Sequence, residues 1–265
     1  ELARQLWALD GRHGAGIGTL GIQEAGKPAR SFGLTTPDIV TFLKAAGELA
    51  RGGVTHLAFE ASSHGLAQHR TEGLPVNAAA FTNLSRDHLD YHGSMEAYFA
   101  AKLRLFTEVL SPEGTAVVWL DRGAEGVDYA LRIVEAARAR GVRTRTVGPD
   151  GGDLRLLSSR PTADGQQLAL EAGGRQFAAE LPLIGGYQAA NALVAAALLA
   201  ATGTDLAATL GRFPMLAGVR GRLERAAVTL GGAAVYVDYA HTPDGLRAAC
   251  EALRPHTEKR LLLLF

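Results

Sequence analysis

Two aspartates, two histidines, an arginine, an asparagine and a serine fall within the twelve residues Thr82-Asn83-Leu84-Ser85-Arg86-Asp87-His88-Leu89-Asp90-Tyr91-His92-Gly93. Carboxylates and imidazoles at this density can bind a cation, move a proton or hold a phosphate. An apolar run, Val76 to Phe81, leads straight into the cluster. A polar burst at the C-terminal end of such a strand is where open α/β sheets place ligand chemistry. The helix expected over Ser94 to Glu108 carries Lys102 seven residues after Met95, three after Phe99 and four before Phe106, on its core-facing side. An unpaired ammonium is costly there. Either it snorkels, or pairs with Asp87 or Asp90, or its pKa is lowered so that the amine can be modified or meet an anionic ligand.

A second polar burst, Glu60-Ala61-Ser62-Ser63-His64-Gly65-Leu66, closes the expected strand Val54 to Phe59, with Gln68 and Arg70 beyond it. A Glu directly after an apolar strand can hold a metal at a switch point. Ser62, Ser63 and His64 invite a hydrolase reading, but the G-x-S-x-G elbow that such a nucleophile needs is absent. Upstream, Leu34-Thr35-Thr36-Pro37-Asp38 predicts a helix start with a Thr N-cap and Pro37 in the first helical position. That start is either simple capping or an anion site on free amides and hydroxyls.

The elements that must position these groups alternate. Helices are expected from residue 38 to 50, 94 to 108 and 127 to 140, and strands at 54–59, 76–81, 115–120 and 142–147, which indicates a mostly parallel sheet flanked by helices. The glycine-rich start has a strand-like core at Ile17 to Ile22. Gly14, Gly16 and Gly18 read as turns and close packing, since the dinucleotide fingerprint's context is missing. Residues 154–158, 167–171 and 176–181 read as a small antiparallel β subregion with turns at Asp164-Gly165 and Gly173-Gly174. A long Ala-rich helix opens at Gly185-Gly186 with Asn191 one turn in and is stopped by Gly203. The basic connector Ala217 to Arg225 reads as a linker. After it a strand (233–239), a helix through Leu253 and a buried strand at Arg260 to Phe265 suggest the start of a second, Rossmann-like α/β domain. The division is therefore a central domain over 1–217 and a second domain beginning at 218–265.

Composition bounds the rest. The 265 residues carry 27 basic and 27 acidic side chains, so no nucleic-acid or acidic-partner surface is expected. Cys250 is the only cysteine, which excludes a disulfide scaffold or a cysteine metal site. No apolar run reaches transmembrane length and no signal peptide opens the chain, so a cytoplasmic protein without membrane contact, expected to be a monomer, is the default.

In order and spacing, these blocks resemble the Mur ligase family, and within it the branch that adds the third amino acid to a UDP-muramoyl dipeptide. The blocks are Thr35-Thr36-Pro37, Glu60 to Leu66, Thr82 to Gly93, Ala101-Lys102-Leu103-Arg104-Leu105-Phe106, Gly218 to Glu224 and Val237-Asp238-Tyr239-Ala240-His241-Thr242-Pro243-Asp244. The resemblance implies an ATP-dependent acid–amino-acid ligase of peptidoglycan synthesis. Its partners would be UDP-N-acetylmuramoyl-L-Ala-D-Glu, an amino acid (meso-diaminopimelate, lysine or ornithine) and ATP. Mg²⁺ is implied as cofactor. By position, Thr35, Thr36, Ser62, Gln68 and Arg70 would hold the UDP-muramoyl peptide. Glu60 and His88 would be Mg²⁺ ligands, and Lys102 would be the family's carbamylated lysine. Asn191, Arg222, Asp238 and His241 would face ATP.

Four departures qualify the resemblance. The family's P-loop is expected immediately before Glu1, and most of the C-terminal domain after Phe265, so this chain alone is expected to be inactive. Gln188 stands where the family usually has Asn, and Arg220 where it usually has Pro. Two competing readings are a related ligase, such as a folylpolyglutamate or cyanophycin synthetase, and a degenerate paralogue that binds a UDP-sugar without turnover. The Thr-Thr-Pro and Ser-Ser-His-Gly-Leu blocks argue against the related ligase, and an intact upstream P-loop would argue against the paralogue.

Overall fold

The computed structural model describes residues 1–265. Helix α1 (Leu2–Leu9) leads into strand β1 (Gly14–Gly18) and strand β2 (Gly21–Glu24). The single strand expected at 17–22 is thus corrected to a hairpin. Thr19 and Leu20 form its two-residue turn, and Gly21 supplies the positive φ of 76° with Arg30 O packed against it. Helix α2 (Ile39–Arg51) buries Phe42, Ala45 and Leu49 in a cluster with Ala15 and Ile17 of β1. Strand β3 (His56–Phe59) pairs parallel with β1, giving a three-stranded sheet ordered β2-β1-β3.

After the short helix α3 (Ser63–Ala67) comes the larger sheet. Strands β4 (Val76–Phe81), β5 (Leu110–Trp119), β6 (Arg143–Gly148), β7 (Leu154–Thr162), β8 (Gly165–Ala172) and β9 (Arg175–Leu181) lie side by side in that order. The β4–β7 pairings are parallel and the β7–β9 pairings antiparallel. Between β4 and β5 run α4 (Leu89–His92) and α5 (Met95–Arg104), and α5 ends in one π-helical turn, Leu105–Val109. Helix α6 (Val127–Ala139) links β5 to β6. The Gly173-Gly174 turn takes φ of 56° and 72°, which glycine adopts without penalty.

Helices cover both faces of this sheet. On one side Phe99 and Phe106 pack with Ile133 and Val134 of α6 against Ala116 and Val118. On the other, α7 (Gly186–Ala201) lies with α1 against Val117, Val147 and Leu168. The alanines of α7 are buried nearly all round because the helix is sandwiched between α1 and the sheet. Residues Thr115 to Val118 of β5 are buried consecutively, as a parallel strand covered on both faces must be.

Helix α8 (Leu206–Gly211) precedes the connector, where the Gln5 amide brackets Ala217 by bonding both its N–H and its C=O. Strands β10 (Glu224–Val228) and β11 (Ala234–Val237) form an antiparallel hairpin, and α9 (Pro243–Leu253) follows. Strand β10 begins within the last two residues of the stretch read as linker. The strand expected at 260–265 does not form: no neighbouring strand offers it a ladder, and Leu262 to Phe265 are exposed. No helix is long and apolar enough to cross a membrane.

Candidate functional site

The Thr-Thr-Pro loop is bound to the end of β3. Thr36 is 2% exposed; its hydroxyl donates to the Glu60 carbonyl at 2.8 Å and accepts from the Ser62 amide at 3.1 Å. The expected Thr N-cap with Pro37 leading the helix is corrected, because Asp38 caps α2. Its carboxylate accepts from the Val40 and Thr41 amides, both at 3.1 Å, and the Thr41 side chain, then these amides, hold its pKa down. A carboxylate outcompetes a hydroxyl for these amides. These bonds occupy two of the amides on which the anion-site reading relied.

Arg70 donates to the Thr36 carbonyl at 3.0 Å and also to the Gln68 side chain, whose amide in turn donates to Tyr91 Oη at 2.9 Å. Ser62 caps α3 by accepting from the Gly65 amide at 3.0 Å. Thr35, Ser62, Gln68 and Arg70 therefore surround one loop corner, while Thr36 is committed to holding that corner together.

Glu60 leaves the end of β3 with its side chain exposed. Its Oε2 accepts from the Thr19 amide at 3.1 Å and from Thr19 Oγ1 at 2.8 Å. Glu60 lines a cleft of about 1200 Å³ together with Asp87, Asn191, Arg222, Asp238 and His241. The four residues expected to face ATP thus meet Glu60 in one cavity. They differ in freedom. Asn191 is exposed, and Arg222 lies over the Tyr239 ring at 5.9 Å. Asp238 accepts from the Leu223 amide at 2.8 Å, the Ala240 amide at 2.8 Å and Tyr187 Oη at 3.3 Å, so it fixes the connector to α7. Burial, reinforced by Asp238, pushes the Tyr187 pKa up. Gln188 is buried and donates to the Arg222 carbonyl at 2.9 Å.

His88 and Lys102 belong to an adjoining aromatic–imidazole cluster. The His64 ring centroid is 5.0 Å from His88, 4.1 Å from Tyr91 and 5.4 Å from His92. His92 stacks on Tyr98 at 5.2 Å and its Nε2 is 2.9 Å from Ser63 Oγ. Desolvation, aided by neighbouring cationic groups, lowers the pKa of both His64 and His92. Tyr98 is pushed up to about 12 by burial and then by Asp87.

The Lys102 ammonium sits 5.1 Å from the Tyr98 ring centroid. Its surroundings desolvate it and pull its pKa down, with Asp87 opposing. Lys102 as a whole is half-buried, and no carboxylate lies within ion-pair distance of its ammonium, so of the readings left open by spacing it is the direct pair with Asp87 or Asp90 that does not form. Asp87 joins cluster to cleft: its Oδ2 lies 3.6 Å from His88 Nε2 and 3.8 Å from His241 Nε2.

No three His, Cys, Asp or Glu side chains converge on one point as a self-sufficient metal cage. That donor set still fits Mg²⁺, which is characteristically held by one or two carboxylates with substrate phosphates and water. Glu60 Oε1, which accepts no hydrogen bond, is such an oxygen on the cleft wall.

Sequence reasoning overlooked Thr19, Gly18 and Tyr98 as parts of the site, and gave His92 no role beyond its place in the polar cluster. The signal for the first two was a Gly-x-Gly-Thr run at a strand's C-terminal end. Tyr98 carried none beyond proximity.

A mostly parallel sheet with polar strand ends opening into a large cleft defines an α/β ligand-binding enzyme scaffold. The chain belongs to the Mur ligase family: the Mur ligase middle domain matches residues 1–199, and the Mur ligase glutamate ligase domain matches 221–265. It is 52% identical over 265 residues to the UDP-N-acetylmuramoyl-L-alanyl-D-glutamate–2,6-diaminopimelate ligase of Zymomonas mobilis, with 100% of this chain and 53% of that protein covered. The protein of that name from Caulobacter vibrioides is 48% identical over 268 residues, with 99% and 54% covered. The chain thus spans about half the length of the curated relatives it matches. A solved structure of a ligase of that name aligns with a TM-score of 0.80 at 31% identity, covering 96% of this chain and 50% of the other. A Mycobacterium tuberculosis folylpolyglutamate synthase aligns at 0.75 with 22% identity, covering 97% and 64%, which shows a shared fold.

Proposed function

We propose that the protein carrying this chain is an ATP-dependent ligase joining 2,6-diaminopimelate to UDP-N-acetylmuramoyl-L-Ala-D-Glu. One observation carries the reading. Glu60 stands between the loop corner built from Thr35, Ser62, Gln68 and Arg70 and the cleft lined by Asn191, Arg222, Asp238 and His241. A nucleotide on one side and an acid substrate on the other would meet there. The choice of diaminopimelate over lysine or ornithine follows the names of the relatives. Residues 1–217 form the nucleotide and acid-substrate part, and 218–265 begin the second domain.

In the proposed reaction a carboxylate oxygen of the dipeptide attacks the γ-phosphorus of ATP. The bond to the ADP oxygen breaks, leaving an acyl phosphate. The amine of diaminopimelate then attacks the acyl carbon, the C–O bond to phosphate breaks, and the nitrogen loses a proton. Bound Mg²⁺ would neutralise charge on the phosphate oxygens. Glu60 and His88 would hold it, with Lys102 as a third ligand once carbamylated.

Lys102 suits that role. A lowered pKa leaves more of the amine neutral, and the neutral amine adds CO₂, forming an N–C bond and releasing one proton. The product is a carboxylate where an ammonium stood. Arg70 places a guanidinium beside the loop corner, suited to a substrate carboxylate or phosphate. Asp238 and Gln188 hold the connector so that Arg222 and His241 face the cleft.

The test is calorimetric titration of the chain with UDP-N-acetylmuramoyl-L-Ala-D-Glu, alongside Arg70→Ala. Binding by the native chain and its loss in a variant with an unchanged circular dichroism melt supports the reading. Equal binding by both overturns the placement of the substrate.

A further inference from the structure

Gly18 has no conformational reason to be glycine. Its φ lies outside the left-handed region, and as the last residue of β1 its extended backbone is one that any residue could adopt. Its reason is steric. A Cβ at position 18 would lie 2.5 Å from Glu60 Cδ, 2.7 Å from Oε1 and 2.9 Å from Cγ. The Glu60 carboxyl group therefore rests on the bare Cα of Gly18.

Thr19 completes the seat. Its amide and hydroxyl both donate to Oε2, at 3.1 Å and 2.8 Å. With that hydroxyl proton committed, the 3.0 Å contact to Thr35 must run the other way, with the Thr35 hydroxyl donating to Thr19 Oγ1. A directed chain results, Thr35 to Thr19 to Glu60. The backbone of Glu60 is fixed separately, through its carbonyl, by Thr36. One carboxylate oxygen is thus satisfied within the protein, and the other is left without a donor on the wall of the cleft.

We propose that Gly18 and Thr19 are positioning residues for Glu60, seating its carboxylate so that Oε1 is presented to a hard divalent cation. The inference rests on the reading of Glu60 as a cation ligand. Partners that orient a metal ligand change metal affinity about 10- to 100-fold when removed. Gly18→Ala displaces the carboxylate by bulk. Thr19→Val removes the hydroxyl donor while keeping the amide, and Thr19→Ser retains both.

The experiment is Mn²⁺ titration of the full-length protein with ATP present, followed by electron paramagnetic resonance, on the native sequence, Gly18→Ala, Thr19→Val, Thr19→Ser and Glu60→Ala, each with a thermal melt. Mn²⁺ stands in for Mg²⁺ as an oxygen-seeking divalent ion. The expected result is loss of binding in Glu60→Ala, weakening by about tenfold in Gly18→Ala and Thr19→Val, and near-native binding in Thr19→Ser. If Glu60→Ala loses the ion while Gly18→Ala and Thr19→Val bind as the native chain does, the seat is wrong and the ligand reading stands. If the native chain takes up no Mn²⁺, or Glu60→Ala takes it up unchanged, the ligand reading falls and the seat with it. Thr19→Val keeps the test decisive should Gly18→Ala melt early.

Discussion

The hydroxyl of Thr36 donates to the carbonyl of Glu60 at 2.8 Å, although the two residues lie 24 positions apart in the chain. The same oxygen accepts from the Ser62 amide. One buried hydroxyl therefore ties the loop after β2 to the end of β3, and sets where both the Thr35–Arg70 loop corner and the Glu60 carboxylate stand.

Replacing Thr36 with Val keeps the shape but strands the Glu60 carbonyl and the Ser62 amide. A buried unpaired polar group costs about 1–3 kcal/mol. The expectation is a loss of about 2 kcal/mol in urea unfolding for Thr36→Val, with Thr36→Ser losing much less. An unchanged midpoint in Thr36→Val would show that water replaces the hydroxyl.

Lys102 should carry CO₂. With ¹³C-bicarbonate at pH 8, the chain should show a carbamate carbon resonance that is absent from Lys102→Ala. In the full-length protein Lys102→Ala should lower turnover by about 100-fold or more, the scale of losing a group that stabilises transition-state charge. Millimolar bicarbonate should not restore it, whereas a short added carboxylic acid should restore part. Undiminished turnover in Lys102→Ala would end the carbamate reading.

Stability should fall in mild acid. His64 and His92 have pKa values lowered in the folded state, chiefly by desolvation, below the ordinary value of about 6.5 that they regain on unfolding. The unfolded chain therefore binds more protons as pH drops below that value. The melting temperature should be level above about pH 7 and decline from about 6.5 downward, through the folded-state values. Glu24 and Glu108, lowered by their Lys27 and Arg104 partners, lose their contribution only further down, as pH falls below the ordinary carboxylate range. Differential scanning fluorimetry of native and His64→Gln/His92→Gln chains between pH 8 and pH 5 checks this; the double variant should give the flatter curve.

Gln188 reaches the Arg222 carbonyl from inside the core. Asn is one methylene shorter, so Gln188→Asn should lose that bond and about 1 kcal/mol of stability, measured by urea denaturation. Equal stability would mean that the connector relaxes toward the shorter side chain.

Much of this was legible from residue order. The alternation of apolar runs with helical stripes gave α2, α6, β4 to β6 and the antiparallel β7–β9 unit, because each buries a periodic face whatever its neighbours are. The inward place of Lys102 followed from its spacing to Phe99 and Phe106, both 1% exposed. The Thr-Thr-Pro, Ser-Ser-His-Gly-Leu and Asp-His-Leu-Asp-Tyr-His blocks pointed to the family before any geometry was known.

Other features had no sequence signal strong enough to decide them. The β1–β2 hairpin was hidden because glycines carry no hydrophobic period. The helix start at Asp38 was settled by competition: Thr36 is drawn away to β3, and a carboxylate takes the amides it leaves. The apolar end at Leu262 to Phe265 forms no strand, since a strand exists only where another backbone supplies its hydrogen bonds. Sequence fixed which chemical groups are available and which faces they lie on. Tertiary structure decided which of them are spent on holding the fold, as Thr36 and Asp238 are, and which remain free to face a ligand, as Glu60 Oε1, Asn191 and Arg222 do. That division depends on hydrogen-bond partners far apart in the chain, and so on how the chain folds back on itself.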